Sequence, residues 1–192
     1  MFLKPLSRRG SLLGLAAAAA ALPFSRPANP ASASSNGLVV LTVGGLVGSP
    51  NRPAFDAAHD RFFDHNNLSF EKARAFSLAD LTTLPQQAVL LKRENGQSEY
   101  KGPLLRDVLA AANPVGAKVA RVSALDGYAV ELTLKEIEAQ KWILATEVDG
   151  SAFGIGDFGP LYAMRQLASN EEMTQEEGAK WVFSIYYIEL LA

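Results

Sequence analysis

The chain of 192 residues contains no cysteine. It can therefore form no disulfide, and it has neither a thiol nucleophile nor a thiolate to offer to a metal ion. Histidine is scarce as well, since His59 and His65 are the only two. On a helix, a separation of six residues turns two side chains about 240° apart, so these imidazoles are not expected to share one ion. The sequence predicts neither catalytic nor metal-ligating residues.

Clusters of basic side chains are also missing. The 18 lysines and arginines are scattered among 20 acidic residues and give a formal net charge of −2. A nucleic-acid surface needs grouped cations that neutralise phosphates. The composition therefore excludes nucleic acid as the expected partner.

The apolar run Leu12–Leu22 follows a basic start and ends at Pro23. It is shorter than the roughly 20 residues that span a bilayer. Ala31-Ser32-Ala33 fits a cleavage site for a secretory signal. We predict a signal peptide over residues 1–33, a periplasmic location and no membrane insertion after cleavage. The alternative, an uncleaved membrane anchor, is disfavoured because further prolines follow the run.

Arg8 and Arg9 lie within Ser7–Leu13, which resembles a twin-arginine (Tat) signal, although adjacent arginines also occur in ordinary Sec signals. The Tat route exports folded proteins, so a ligand could be loaded in the cytoplasm. Cleavage would remove four basic and no acidic residues and leave a net charge of −6. Residues 34–192 are predicted to form one domain with its own hydrophobic core.

The apolar pattern of this domain predicts an α+β fold, with many strands and short helices between them. A brief helical turn with a cap at residues 77–80 is also predicted, and residues 150–160 are expected to form a glycine-rich loop. The predicted strands cover residues 38–43, 87–92, 118–124, 128–133, 142–147 and a central strand within 180–190, and the predicted helices cover 53–65, 103–112 and 134–140.

Five short motifs occur in a recognisable order. They are Tyr100–Leu109 (YKGPLLRDVL), Ala124–Tyr128 (ALDGY), Ile143-Leu144-Ala145 with the following Asp149-Gly150, Gly159-Pro160-Leu161, and Lys180-Trp181. In this order and spacing, the stretch from Leu38 to Leu190 resembles the molybdopterin-binding domain of the sulfite oxidase family. The resemblance implies a mixed β-sheet fold with short peripheral helices and a pterin-binding pocket between loops that follow the strands.

The chain departs from this family at two positions. The family's metal-binding cysteine should fall near Val89–Arg93, where only Val, Leu, Lys and Arg occur. The histidine that many members place before the Gly-Pro turn is replaced by Asp157-Phe158. Small exported members without the cysteine resemble periplasmic pterin-binding regulators that report to a membrane enzyme of cyclic-di-GMP turnover. We therefore expect a pterin or molybdopterin-like ligand without molybdenum.

The resemblance places the ligand near the motif Asp126-Gly127-Tyr128. A pterin presents an N–H and an amino group side by side, and the Asp126 carboxylate would accept both hydrogen bonds. Asp-Gly is equally typical of a plain hairpin turn. Tyr128 and Trp181 would supply stacking faces, although aromatic residues in strands more often belong to the core.

The remaining candidate residues would contact the polar parts of the ligand. Gly159, with the other glycines of its loop, would let the backbone approach the ligand. Arg93, Arg165 and Lys180 would hold a phosphate tail, or they are ordinary surface charges.

Three functions remain open on the sequence alone. The leading hypothesis is an exported pterin-binding module that senses a ligand and acts on a membrane signalling or redox protein. The alternative is a molybdopterin-dependent oxidoreductase with atypical metal ligation. The third is an adaptor domain with an empty pocket.

Overall fold

The computed structural model describes residues 37–93, 96–168, 171 and 173–192. The predicted signal peptide over residues 1–33 lies outside the described residues. Within the described ranges, no helix is long and apolar enough to cross a membrane.

Strands dominate the described chain, and the helices between them are short. The strands are β1 Val39–Gly45, β2 Ala73–Ser77, β3 Gln86–Arg93, β4 Gly96–Pro103, β5 Val119–Ala124, β6 Ala129–Thr133, β7 Trp142–Ala145, β8 Glu147–Val148, β9 Ser151–Ala152, β10 Tyr162–Arg165 and β11 Ile185–Leu191. The helices are α1 Arg61–His65, α2 Leu78–Thr83, α3 Leu105–Ala112, α4 Leu134–Ala139 and α5 Gln175–Ala179. The prediction of an α+β chain with short helices is confirmed at this level.

The largest sheet has the strand order β2-β1-β11-β5-β6. It is a mixed sheet, because β11 runs parallel to β1 and antiparallel to β5. The prediction that the closing apolar run is a central strand is therefore confirmed, but the strand begins only at Ile185. The preceding Ser184 has a left-handed backbone with φ 55°, and Val182 pairs instead with Ala163.

Two smaller sheets complete the fold. One has the order β3-β4-β8-β9, and the other pairs β10 with β7. Side chains from all three sheets and from α2, α3 and α4 form one buried core, in which Tyr100, Trp142 and Leu144 are almost completely enclosed. In the first of these smaller sheets β3 lies at an edge, with β4 as its neighbour.

Helix boundaries follow local side-chain chemistry. The Ser77 hydroxyl accepts the backbone N–H of Asp80, whose carboxylate in turn accepts the N–H of Ser77, so the predicted capped turn is confirmed as α2. Helix α3 ends at Asn113, which adopts the left-handed conformation with φ 55°.

The predicted helix over residues 53–65 is wrong for most of its length, since only Arg61–His65 is helical. Asp56 accepts the backbone N–H of Ala58, and Asp60 accepts that of Asp56. These carboxylates replace helical backbone bonds, as short acidic side chains often do. The N–H of Phe55 is used by the carbonyl of Phe70, which holds the segment against a neighbouring loop.

A second, aromatic core lies beside β1 and β11. Tyr187 is its central residue, and only 1% of its surface is exposed. The Tyr187 hydroxyl is buried without a hydrogen-bond partner, and this burial raises the pKa of Tyr187. A Cβ atom on Gly44 would overlap this hydroxyl and would lie 3.0 Å from two ring carbons. Glycine at position 44 therefore provides the space that the tyrosine ring occupies.

We predict that Gly44→Ala destabilises the fold by about 1–3 kcal/mol, as expected for overpacking. Tyr187→Phe should be neutral or stabilising by up to about 1 kcal/mol, because it removes a buried hydroxyl without a partner. In the double variant, Gly44→Ala should lower the free energy of unfolding by less, because the Tyr187 hydroxyl that clashes with the new Cβ is absent. Urea unfolding of the four proteins measures this coupling. Strictly additive effects would show that the hydroxyl does not limit the space at residue 44.

Candidate functional site

The motif Asp126-Gly127-Tyr128 forms the exposed turn between β5 and β6. The Asp126 carboxylate accepts the backbone N–H of Tyr128 at 2.9 Å, and Gly127 has a φ of 87°. The turn is closed by a hydrogen bond from the N–H of Gly127 to the carbonyl of Ala124. The hairpin interpretation of this motif is thus sufficient to explain its Asp-Gly pair. Recognition of a ligand by Asp126 stays a prediction.

Three segments meet at this turn. The Tyr128 hydroxyl donates to the carbonyl of Ala179, directly before Lys180. The N–H of Leu125 donates to the carbonyl of Ser184, whose own N–H donates to the carbonyl of Phe158, next to Gly159. The structure therefore places the predicted residues Asp126, Gly127, Tyr128, Gly159, Lys180 and Trp181 on three adjoining segments.

The environments of Gly159, Lys180 and Trp181 favour structural roles. A Cβ on Gly159 would lie 2.5 Å from the carbonyl oxygen of Gly154, so the packing of the loop already requires glycine. The Lys180 ammonium forms a 2.9 Å ion pair with Glu136, and this hydrogen bond raises the pKa of Lys180. Trp181 is 6% exposed and packs edge-on against Tyr162, so its faces belong to the core.

Arg165 lies at the end of β10 and is buried, with 8% of its surface exposed. Its Nε atom donates to Glu177 at 2.6 Å, its Nη1 atom donates to Glu171 at 2.9 Å, and its Nη2 atom also donates to Glu171. Glu177 in addition accepts the indole N–H of Trp181 at 3.0 Å. Every nitrogen of the guanidinium is engaged, so Arg165 acts as a clamp between two segments of the chain.

The clamp determines the ionisation of both carboxylates. Hydrogen bonds from Arg165 and from the backbone of Ala168 lower the pKa of Glu171 to about 2. Burial opposes the ionisation of Glu177, but hydrogen bonds from Arg165 and Trp181 outweigh it and lower the pKa of Glu177. The same two carboxylates raise the pKa of Arg165. The network is therefore fully charged at neutral pH.

A cavity of about 470 Å³ lies beside the clamp. Residues 89–92 of β3 and Gln97 of β4 line one part of it. Arg165 and the described residues 166–168, 171 and 173 line the other part, and we call this second group of residues the cavity wall. Its volume lies within the range of about 300–1,000 Å³ that is typical of small-molecule sites. The cavity contains both charged and apolar side chains, among them Lys92, Glu171 and Leu91.

This cavity coincides with the segment Val89–Arg93, where the resemblance places a metal-binding cysteine. The backbone of Arg93 ends β3, but its side chain lies outside what the structure describes. Glu171 was not identified from the sequence, because a single glutamate near a run of polar residues carries no recognisable signal. Within the described ranges, no group of three or more His, Cys, Asp or Glu side chains could hold a metal ion.

The clamp predicts a specific dependence of stability on pH. The pKa of Glu171 is lowered in the folded protein, so its contribution is present above the ordinary glutamate pKa of 4.5 and is lost as the pH falls towards 2. Glu171→Gln should therefore be less stable than wild type at pH 7, and the difference should shrink on acidification. Thermal unfolding between pH 7 and pH 3 measures it. Glu131→Gln, which removes an exposed ion pair with Arg121, is the control and should have a smaller effect at pH 7. Equal behaviour of the two variants would contradict the clamp.

Comparison with known proteins adds information on the fold. No family model and no curated protein matches the chain. Among solved structures, the chain is similar to the sulfane dehydrogenase SoxCD from Paracoccus pantotrophus, with a TM-score of 0.51 and 15% sequence identity. The match covers 79% of this chain and 37% of that one. The likeness therefore concerns the fold alone, which is a mixed α/β architecture of mostly sheets and a few short helices, compatible with a sulfite oxidase-like fold.

Proposed function

We propose that this chain is a pterin-binding module that holds its ligand in the cavity between β3 and the cavity wall, and that it acts by recognition instead of by metal-dependent turnover. The observation that carries the proposal is the position of the cavity. A pocket of suitable volume lies against residues 89–92, the segment that the sequence motifs align with the cofactor's metal ligand in the sulfite oxidase family.

The lining of the cavity suits a flat, polar ring. Leu91 and Leu167 supply apolar contact, while Gln97 and Gln166 carry amide groups that both donate and accept hydrogen bonds. The charge of Arg165 is already balanced by two carboxylates, so the buried guanidinium adds little attraction for a phosphate. A ring without a phosphate tail fits this arrangement better than a nucleotide does.

The same residues do not fit molybdenum. Val89, Leu90, Leu91 and Lys92 offer no thiolate or carboxylate at the position of the missing cysteine, and the chain has no cysteine elsewhere. The sulfane dehydrogenase to which the fold is similar is a dehydrogenase by name, but this chain spans only 37% of its length. We therefore derive no redox step for this chain.

Export and a partner form the second part of the proposal. The predicted signal peptide over residues 1–33 supports a periplasmic module, and its twin-arginine character supports folding before export. We propose that ligand occupancy is passed to a membrane signalling or redox protein. This part depends on the sequence, and a regulator of this kind would need a ligand that binds one conformation of the protein better than another.

Binding of the parent compound pterin to the purified protein tests the site. Ala168→Trp places an indole in the lining of the cavity and should weaken binding at least about tenfold, a loss of about 1.4 kcal/mol. Ala110→Trp makes the same change in a separate groove between α3 and α4 and is the matched control. Fluorescence titration measures both affinities.

Asp126→Ala distinguishes this cavity from the site near the β5–β6 turn that the sequence favours. It should bind pterin as wild type does if the cavity is the site. Loss of binding in Asp126→Ala together with normal binding in Ala168→Trp would move the site to the turn. Failure of the wild-type protein to bind pterin would contradict the proposed function and favour an adaptor domain.

The missing thiolate also predicts the metal content. Protein that folds in the cytoplasm and is then exported should contain much less than one molybdenum atom per chain, by elemental analysis. Expression with ample molybdate is the appropriate control, because it removes supply as a cause. Stoichiometric molybdenum would instead support the oxidoreductase with atypical metal ligation.

A further inference from the structure

The backbone of β3 has one edge that β4 does not use. In an antiparallel pair, opposite residues alternate between pairs that exchange both of their hydrogen bonds and pairs whose N–H and C=O groups point away from each other. On a strand at the edge of a sheet, the second kind of residue directs a donor and an acceptor outwards. The direction of the N–H and C=O groups of each β3 residue therefore determines which backbone groups face the cavity.

Hydrogen bonds of β4 to its other neighbours fix this alternation. The carbonyl of Glu99 accepts the N–H of Asp149, and the carbonyl of Lys101 accepts the N–H of Thr146, so both carbonyls point away from β3. Glu99 is opposite Leu90 in the ladder. The N–H and C=O of Leu90 consequently point away from β4, towards the outer edge.

The contact of Lys141 provides an independent check. Ala88 is opposite Lys101 and lies two residues before Leu90, so its N–H and C=O also point away from β4. Its carbonyl accepts a hydrogen bond from the Lys141 ammonium at 3.1 Å, which comes from the outer side of the strand. The backbone of Lys141 in turn accepts the N–H of Gln166, a residue of the cavity wall. The outer edge of β3 therefore faces the cavity wall.

Leu90 lies in the middle of the four strand residues that line the cavity. Its backbone presents an N–H donor and a C=O acceptor side by side. This pair is complementary to the edge of a cyclic amide, whose carbonyl accepts a hydrogen bond and whose N–H donates one. Pterin has such an edge, with its C4 carbonyl next to its N3–H. We propose that the backbone of Leu90 recognises this edge: its N–H donates to the C4 oxygen and its carbonyl accepts the N3–H. The inference rests on the proposed pterin-binding function and names the chemistry of recognition.

Proline at position 90 tests the assignment without disturbing the ladder. Proline lacks an N–H, and it is tolerated on an edge strand where that N–H faces outwards. Leu90→Pro should weaken pterin binding about tenfold, as expected for a lost hydrogen bond and an unpaired acceptor. Leu90→Ala keeps the N–H and controls for the side chain. Ala88→Pro also removes an N–H that points away from β4, but residue 88 does not line the cavity. This variant should bind pterin normally.

A ligand variant gives the same test with the wild-type protein, so the result does not depend on the folding of a proline variant. 3-Methylpterin lacks the N3–H, and its affinity should be at least about tenfold lower than that of pterin. If pterin binds but Leu90→Pro and 3-methylpterin both behave like their controls, the Leu90 assignment is wrong and the proposed function stands. If the wild-type protein does not bind pterin, both the Leu90 assignment and the proposed function are wrong.

Discussion

The geometry of the candidate site depends on the ion pairs that Arg165 forms with Glu171 and Glu177. A guanidinium that is removed from water needs balancing charge and hydrogen bonds, because loss of a partner leaves its charge uncompensated. Glu171 and Glu177 provide this balance from two different segments. One segment forms the cavity wall, and the other leads through α5 to Trp181. The end of β10 thereby determines where both segments lie.

This clamp also connects the cavity with the region around the β5–β6 turn. Arg165 lines the cavity, while its partner Glu177 bonds to Trp181, beside the segment that contacts the β5–β6 turn. Hydrogen bonds therefore join the cavity wall to the segment that contacts the β5–β6 turn. This network is the contact path by which the proposed ligand site would be coupled to a separate partner surface.

Much of the fold was predictable because its elements carry strong local signals. The apolar run that contains β11 indicated a central strand, and Ser77 and Asp80 indicated the cap of α2. The first part of the helix predicted over residues 53–65 failed because Asp56 and Asp60 bind backbone N–H groups there, a competition that apolar spacing does not reveal. Strand β4 was missed, since only its pairing with β3 and β8 shows that the motif around Tyr100 is extended.

The candidate site was harder to predict, and the reason is physical. Sequence motifs identify side chains that carry chemistry, and the structure places Asp126, Tyr128, Gly159 and Trp181 on adjoining segments. The edge of β3 offers backbone groups instead, whose direction depends on strand order and register and not on the identity of Leu90. The recognition of a ring that we propose needs no thiolate, because the alternation of an antiparallel ladder places donor and acceptor together in any sequence that forms the edge. The absence of a cysteine from β3 is thus compatible with the proposed recognition of a ring by the same strand.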